Sequence, residues 1–369
     1  MRWLAALALL LLAACSPPGG VTFHAEDDPE DLADWGVLRV EGGKLRLADG
    51  SLPYELATPL FTDHASKLRT IWMPDGQQAR YHPAQALDFP VGTIISKSFY
   101  YPTDAEGRAL PADGPARLED GALDLTRVRL IETRLLVHRE QGWVALPYVW
   151  NAEGTRAKLQ RIGGIAKVRL AGRGDEFTYV IPNATQCGAC HVPDAASRKL
   201  QPIGPTARGL GIPSPFAPGH PDQLRWLAQA GRLAGLPETP APASAVWTDT
   251  ARPLEARARA YLDVNCGHCH NPAGPARTSG LHLDAATSDR RELGFCKPPV
   301  AAGQGTGDRT FAIVPGHPDQ SILVYRMESV APGEMMPEIG RSTSHAEGTA
   351  LVSAWIRALE GACEVKSTN

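Results

Sequence analysis

The chain has 369 residues, enough for more than one domain, and its hydrophobic fraction of 43% is that of an ordinary globular protein. A net charge of −3 argues against nucleic acid as a partner. Beyond the first residues no apolar run is long enough to span a bilayer as a helix.

Met1-Arg2-Trp3 leads into an apolar run from Leu4 to Ala14, too short for a membrane helix and of the right length for the core of an export signal. The run ends Leu12-Ala13-Ala14-Cys15, which resembles the bacterial lipobox. That resemblance implies that residues 1–15 are a lipoprotein signal in which Cys15 becomes the lipidated amino terminus. The plainer reading is ordinary cleavage that leaves Cys15 a bystander. Several acyl chains on one residue anchor stably, and Ser16 after the cysteine implies the outer membrane, on its periplasmic side. Residues 16–34 read as a proline- and glycine-rich tether followed by a short helix. Asp28 is the expected cap, Pro29 the first helical position, and Gly36 ends it.

From Val37 to Ile181 the hydrophobic period becomes 2. Strands are expected over Gly92–Tyr101, Val128–Leu135, Trp143–Trp150, Ile165–Leu170 and Phe177–Ile181, with a hairpin turn at Gln141-Gly142 and further turns at Pro74-Asp75-Gly76 and Arg173-Gly174-Asp175. The sum is a mainly antiparallel β domain over 35–182. The charged alternation at Glu132 and Arg134 reads as a solvated strand face. His64, His82 and His138 read as surface or internally satisfied histidines. The region holds no metal-ligand cluster, phosphate loop or nucleophile motif, and no catalytic residue is assigned.

The chemistry begins at Cys187-Gly188-Ala189-Cys190-His191 and is repeated at Cys266-Gly267-His268-Cys269-His270. Two thiols three positions apart, followed at once by an imidazole, are the attachment pattern of a c-type haem, with His191 and His270 as iron ligands. From the chain's own cysteine and histidine frequencies, chance supplies about 0.004 such strings. A four-cysteine zinc site or a thioredoxin-like pair would not need a histidine after the second cysteine, twice. Two covalently bound haems c are therefore expected. Of the seven cysteines, Cys15 and the four thioether positions leave Cys296 and Cys363, which an oxidising compartment should join.

Both motifs continue as His-x-Pro, His191-Val192-Pro193 and His270-Asn271-Pro272, which resembles class I cytochromes c. That resemblance implies a backbone carbonyl accepting the free N–H of each imidazole. A helix from Pro253 through Leu262 delivers Cys266, and Gly348–Leu359 shows a second helical period. In class I cytochromes such first and last helices cross beside the haem, and a methionine before proline supplies the distal ligand. In Gly333-Glu334-Met335-Met336-Pro337 the likeness selects Met336 over Met335. Pro218-Gly219-His220-Pro221-Asp222-Gln223 recurs as Pro315-Gly316-His317-Pro318-Asp319-Gln320, each expected to start a helix. No methionine occurs between His191 and Met327, so the first haem is five-coordinate or takes Met73 or a histidine such as His82.

Pro59 to Ala65, Phe89 to Thr93, Ile131 to Leu135, Gly142-Trp143, the two motifs and the stretch from Met336 to Trp355 together resemble a family of bacterial di-haem c-type cytochromes. The resemblance implies an α+β architecture, a mainly antiparallel β domain followed by two α-helical cytochrome c-like domains over 183–248 and 249–369. It also implies periplasmic electron transfer with redox-protein partners, a periplasmic dehydrogenase among the candidates. The first motif departs from simpler di-haem cytochromes in having strand Phe177–Ile181 and Pro182 before it, where a helix is usual. Two rival functions are a peroxidase-like di-haem oxidoreductase with an open site on the first haem, and a binding module built on the β domain.

Overall fold

A computed structural model describes residues 20–111, 114–172, 176–301 and 303–364. The expected export signal, Cys15, the start of the expected tether and the expected turn at Arg173-Gly174-Asp175 lie outside the described residues. The strands are β1 (Leu38–Glu41), β2 (Lys44–Leu47), β3 (Leu52–Pro53), β4 (Ser66–Trp72), β5 (Ala79–Arg80), β6 (Ile94–Pro102), β7 (Ala122–Asp124), β8 (Val128–Arg139), β9 (Gly142–Trp150), β10 (Ala157–Leu159), β11 (Gly164–Arg169), β12 (Glu176–Ile181) and β13 (Leu233–Ala234). The helices are α1 (Ala184–His191), α2 (Ala207–Leu210), α3 (Gln223–Gln229), α4 (Leu254–Leu262), α5 (Ile322–Glu328) and α6 (Ala346–Arg357).

The centre is a six-stranded antiparallel sheet in the order β10-β9-β8-β6-β4-β3. Period-2 alternation gives it two different faces. One buries Leu68, Ile94, Leu135, Val137, Leu146 and Tyr148 against Trp35, Leu38, Leu45 and Leu123, which belong to or border the small sheet β1-β2-β7. The strands expected from the sequence lie where the alternation put them. The hairpin loop is Glu140-Gln141 rather than Gln141-Gly142, because Gly142 already pairs with Arg139 as the first residue of β9. The amino-terminal helix is a single tight turn, Leu32–Trp35, and Asp28 does not cap it. Its carboxylate instead takes Arg139 at 2.8 Å and Arg161 at 2.6 Å.

The solvated face expected at Glu132 and Arg134 is wrong. Glu132 is fully buried, receives both arms of the Arg134 guanidinium at 2.5 and 2.8 Å, and accepts the Tyr179 hydroxyl at 2.8 Å. Charge alternation marks a strand face; it does not say whether another part of the chain will cover that face.

The expected α+β arrangement, with two α-helical cytochrome c-like domains behind the β domain, is also overturned. Sheets dominate, and helix amounts to 19% in six short segments. Nine prolines between 202 and 242 keep α2 and α3 to four and seven residues. That stretch shares the core of the sheet region: Ala207, Leu210, Leu224, Leu227 and Leu233 pack with Tyr54, Ile71, Leu87, Phe89 and Ile95, and β13 pairs in parallel with β5. The carboxy-terminal part has its own core, Tyr261, Leu262, Leu323, Val324, Leu351, Val352 and Trp355, among helices of nine, seven and twelve residues joined by irregular chain. Helix α4 meets α6 where Gly348 leaves room for Tyr261; a Cβ there would stand 2.3 Å from the phenol.

Cys296 and Cys363 form the expected disulfide, with Cα atoms 5.2 Å apart and a sequence separation of 67. On the chain-entropy account a loop of that length constrains the unfolded state by roughly 4 kcal/mol. Replacing Cys363 with serine should lower unfolding free energy by about that amount in denaturant titration, and a change below about 1 kcal/mol would show that the unfolded chain is constrained by other means.

Candidate functional site

The first motif is carried by α1, where spacings of three and four place Cys187, Cys190 and His191 on one side of a single helical stretch. Its start is fixed reciprocally: the Asn183 side chain accepts the Gln186 N–H at 2.7 Å, and the Gln186 side chain accepts the Asn183 N–H at 3.0 Å. Ten residues on, the chain returns. The Gln201 N–H donates to the His191 carbonyl at 2.7 Å, and His191 Nδ1–H donates to the Gln201 carbonyl at 3.0 Å. With the proton held on Nδ1, Nε2 keeps its lone pair. Desolvation holds the His191 pKa down to about 4, so the ring is neutral at physiological pH.

The second motif is built differently and ends alike. Helix α4 widens into a π-type turn over Asp263–Gly267 that carries Cys266, and Gly267 is required there because a Cβ would stand 2.9 Å from the Asp284 backbone. The Asn265 side chain spans the junction, accepting the Phe61 N–H at 2.8 Å and donating to the Tyr261 carbonyl at 2.9 Å. His270 Nδ1 lies 3.3 Å from the Leu281 carbonyl, and the His270 carbonyl accepts the Leu283 N–H at 2.8 Å. Burial again holds the imidazole pKa down to about 4. Thus both histidines give Nδ1 to a returning backbone carbonyl and retain Nε2 as donor, and this donor set fits haem iron.

The two motifs meet. Ligand atoms of Cys190, His268 and Cys269 all lie within 4.8 Å of one another. Hydrogen bonds from Cys269 and His268 pull the Cys190 thiol down to about 4 and push Cys269 up in exchange. Burial raises Cys187, and raises Cys266 to about 12. Cys187, Cys190, His191, Cys266 and His268 line a single cavity of about 1320 Å³, while Cys269 and His270 are not among its wall residues.

Met336 is on that wall, with its carbonyl held by the Arg341 guanidinium at 2.9 Å and its N–H by the Arg326 carbonyl at 2.8 Å. Met335 is buried and not on the wall. Met73 is 2% exposed in the core shared with α2 and α3, away from the wall. His82 is on the wall, but its Nδ1 accepts the Gln85 N–H at 2.8 Å, which puts the neutral ring's proton on Nε2. The sequence reading took His138 for a surface or internally satisfied histidine and missed its place at the cavity. It lines the cavity, stacks on Trp143 at 4.4 Å, and has Nδ1 2.9 Å from the Phe89 carbonyl, as His191 Nδ1 has the Gln201 carbonyl. Met327 on the wall was missed as well.

The loop Phe61–His64 fastens this assembly. The Asp63 carboxylate, 1% exposed, accepts the Ser342 and Thr343 N–H groups and the Thr343 hydroxyl at 2.8 Å each, and Phe61 stacks on His345 with ring centroids 4.2 Å apart. No family model, curated protein or solved structure matches the chain. No helix among the described residues is long and apolar enough to cross a membrane.

Asp63→Ala would strand three part-buried donors. It should destabilise the protein by roughly 3 kcal/mol in denaturant titration, and wild-type stability in the variant would show that the loop is not a fastening.

Proposed function

We propose that the chain is a di-haem c-type electron-transfer protein, exported and held to the periplasmic side of a bacterial membrane, the outer one favoured, through lipidated Cys15. One haem is covalently attached at Cys187 and Cys190 with His191 as ligand, the other at Cys266 and Cys269 with His270 and Met336. What carries the reading is the duplicated ligand geometry: at both motifs a returning carbonyl holds Nδ1–H and leaves Nε2 as donor. Bound there, haem supplies reversible one-electron exchange at iron.

The protein's part is orientation and polarity. The Gln201 and Leu281 carbonyls fix the imidazole rings and make Nε2 the better donor. The Met336 thioether, a soft donor, favours the ferrous state and a higher potential at the second site. The contact between Cys190 and Cys269 favours electron passage within the molecule, because the two attachment points are neighbours. Redox proteins of the same compartment are the partners, a periplasmic dehydrogenase among the candidates.

One observation favours a second reading, a peroxidase-like oxidoreductase: no methionine lies between His191 and Met327 to complete the first site. Another, the Cys190–His268–Cys269 cluster, favours a metal ion held by those three side chains.

Protein expressed in an export- and maturation-competent host should exceed the apoprotein mass by two haems and be low-spin at both, with slow cyanide binding. A substantial high-spin fraction that binds cyanide quickly would favour the oxidoreductase. Colourless protein containing stoichiometric zinc would favour the metal cluster. Met336→Ala should remove the thioether-to-iron absorption band of one haem only, and persistence of that band would show that the ligand is another residue.

A further inference from the structure

The cavity has a floor that neither motif predicts. Across three adjacent strands the register places Arg69 opposite Lys97 and Lys97 opposite Arg134, so three cations stand in one row of the sheet. Lys67 is in the neighbouring row, opposite Phe99, and the Phe99 ring has Lys67 Nζ at 5.8 Å, Lys97 Nζ at 5.2 Å and the Arg134 guanidinium at 4.4 Å from its centroid. All four cations line the cavity. Like charges directly opposite one another destabilise a sheet, the more so out of water.

Two of the four are matched. Arg69 pairs with Glu55 at 2.6 Å and Arg134 with Glu132 at 2.5 Å. Lys67 donates to the Ala65 carbonyl at 3.1 Å and has no carboxylate partner among the described residues, and Lys97 has no hydrogen-bond or ion-pair partner among them. Within this group of four, two cations are matched by carboxylates and the two ammonium groups of Lys67 and Lys97 are not. Desolvation pulls Lys97 down to about 7 and Lys67 well below its usual value, the direction expected of ammonium groups that lack a counter-charge.

We propose that Lys67, Arg69, Lys97 and Arg134 form a binding floor for an anion carrying two negative charges, recognised as carboxylate or oxyanion oxygen. Two sources supply that chemistry. One is the propionate pair of the haem attached at Cys187 and Cys190, a source that rests on the di-haem reading; Lys97 and Arg134 are within electrostatic reach of His191. The other is a free small oxyanion entering the cavity, which does not depend on haem. Phe99 keeps the cations apart and presents an apolar surface between them, while Arg134, already oriented by Glu132, offers its remaining N–H groups.

The test uses the mature protein and its Lys97→Gln and Lys67→Gln variants, with exposed Lys158→Gln as control. Two measurements are made: potentiometric titration of each haem, and calorimetric titration with inorganic phosphate. If propionates occupy the floor, either floor variant lowers the midpoint potential of one haem and leaves the other where it was, and phosphate gives no heat. If a free oxyanion occupies it, phosphate binds wild type saturably, and either floor variant weakens that binding about tenfold or more. Unchanged potentials together with no phosphate binding, in protein carrying both haems, overturn the proposal. Protein that carries no haem but binds phosphate through Lys97 overturns the di-haem reading and leaves the floor standing.

Discussion

The buried carboxylate of Asp63 holds the molecule's two halves in register. It sits in the loop before β4 and collects the backbone and hydroxyl donors of Ser342 and Thr343, almost 280 positions further along. Phe61, two residues earlier, fixes Asn265 at the mouth of the second motif and stacks on His345 at the start of α6. A carboxylate taken out of water is tolerated when donors converge on it. Here they come from the far end of the chain, and the carboxy-terminal helices are thereby set against the central sheet, whose strand β9 packs against α1. Without that fastening the cavity would have one wall fewer.

The two walls obey different physics. The sheet side is rigid and regular, its face dictated by alternation and by cations that must find counter-charge. The carboxy-terminal side is mostly irregular chain pinned by single contacts: Gly267 against Asp284, Gly348 against Tyr261, and Arg341 gathering the carbonyls of Arg326, Ser329 and Met336. Each is a place where one added methyl group or one lost guanidinium would be felt, because no extended hydrogen-bond ladder shares the load.

What the sequence made legible follows from the range of the forces involved. The long strands were readable from local alternation, and the motifs from spacing alone. The Cys296–Cys363 bridge followed from counting thiols. The helical domains expected after residue 182 were not borne out: helix signals at Pro253–Leu262 and Gly348–Leu359 were real, but nine prolines and the pull of the sheet's own core left little helix between them. Glu132 and Arg134 were misjudged because burial of a charged pair is decided by what lands on it, and Phe99, Tyr179 and α1 come from distant stretches. His138 was read as a surface or internally satisfied histidine, and its place on the cavity wall was missed for the same reason. Its link to the Phe89 carbonyl spans 49 positions, and no local pattern announces it. Part of Pro59 to Ala65 was noticed only as a likeness, whereas its physical role as a clasp appears once Ser342 and Thr343 are seen beside it.

The nearness of Cys190 and Cys269 bears on the order of assembly. Cys190 and Cys269 are both free thiols and near neighbours, so in an oxidising compartment they are within reach of cross-linking each other. Such a bond would spend one sulfur from each motif. If the two motifs carry haem as proposed, both thiols have to be spent on that attachment before the carboxy-terminal segment docks and Asp63 closes its grip.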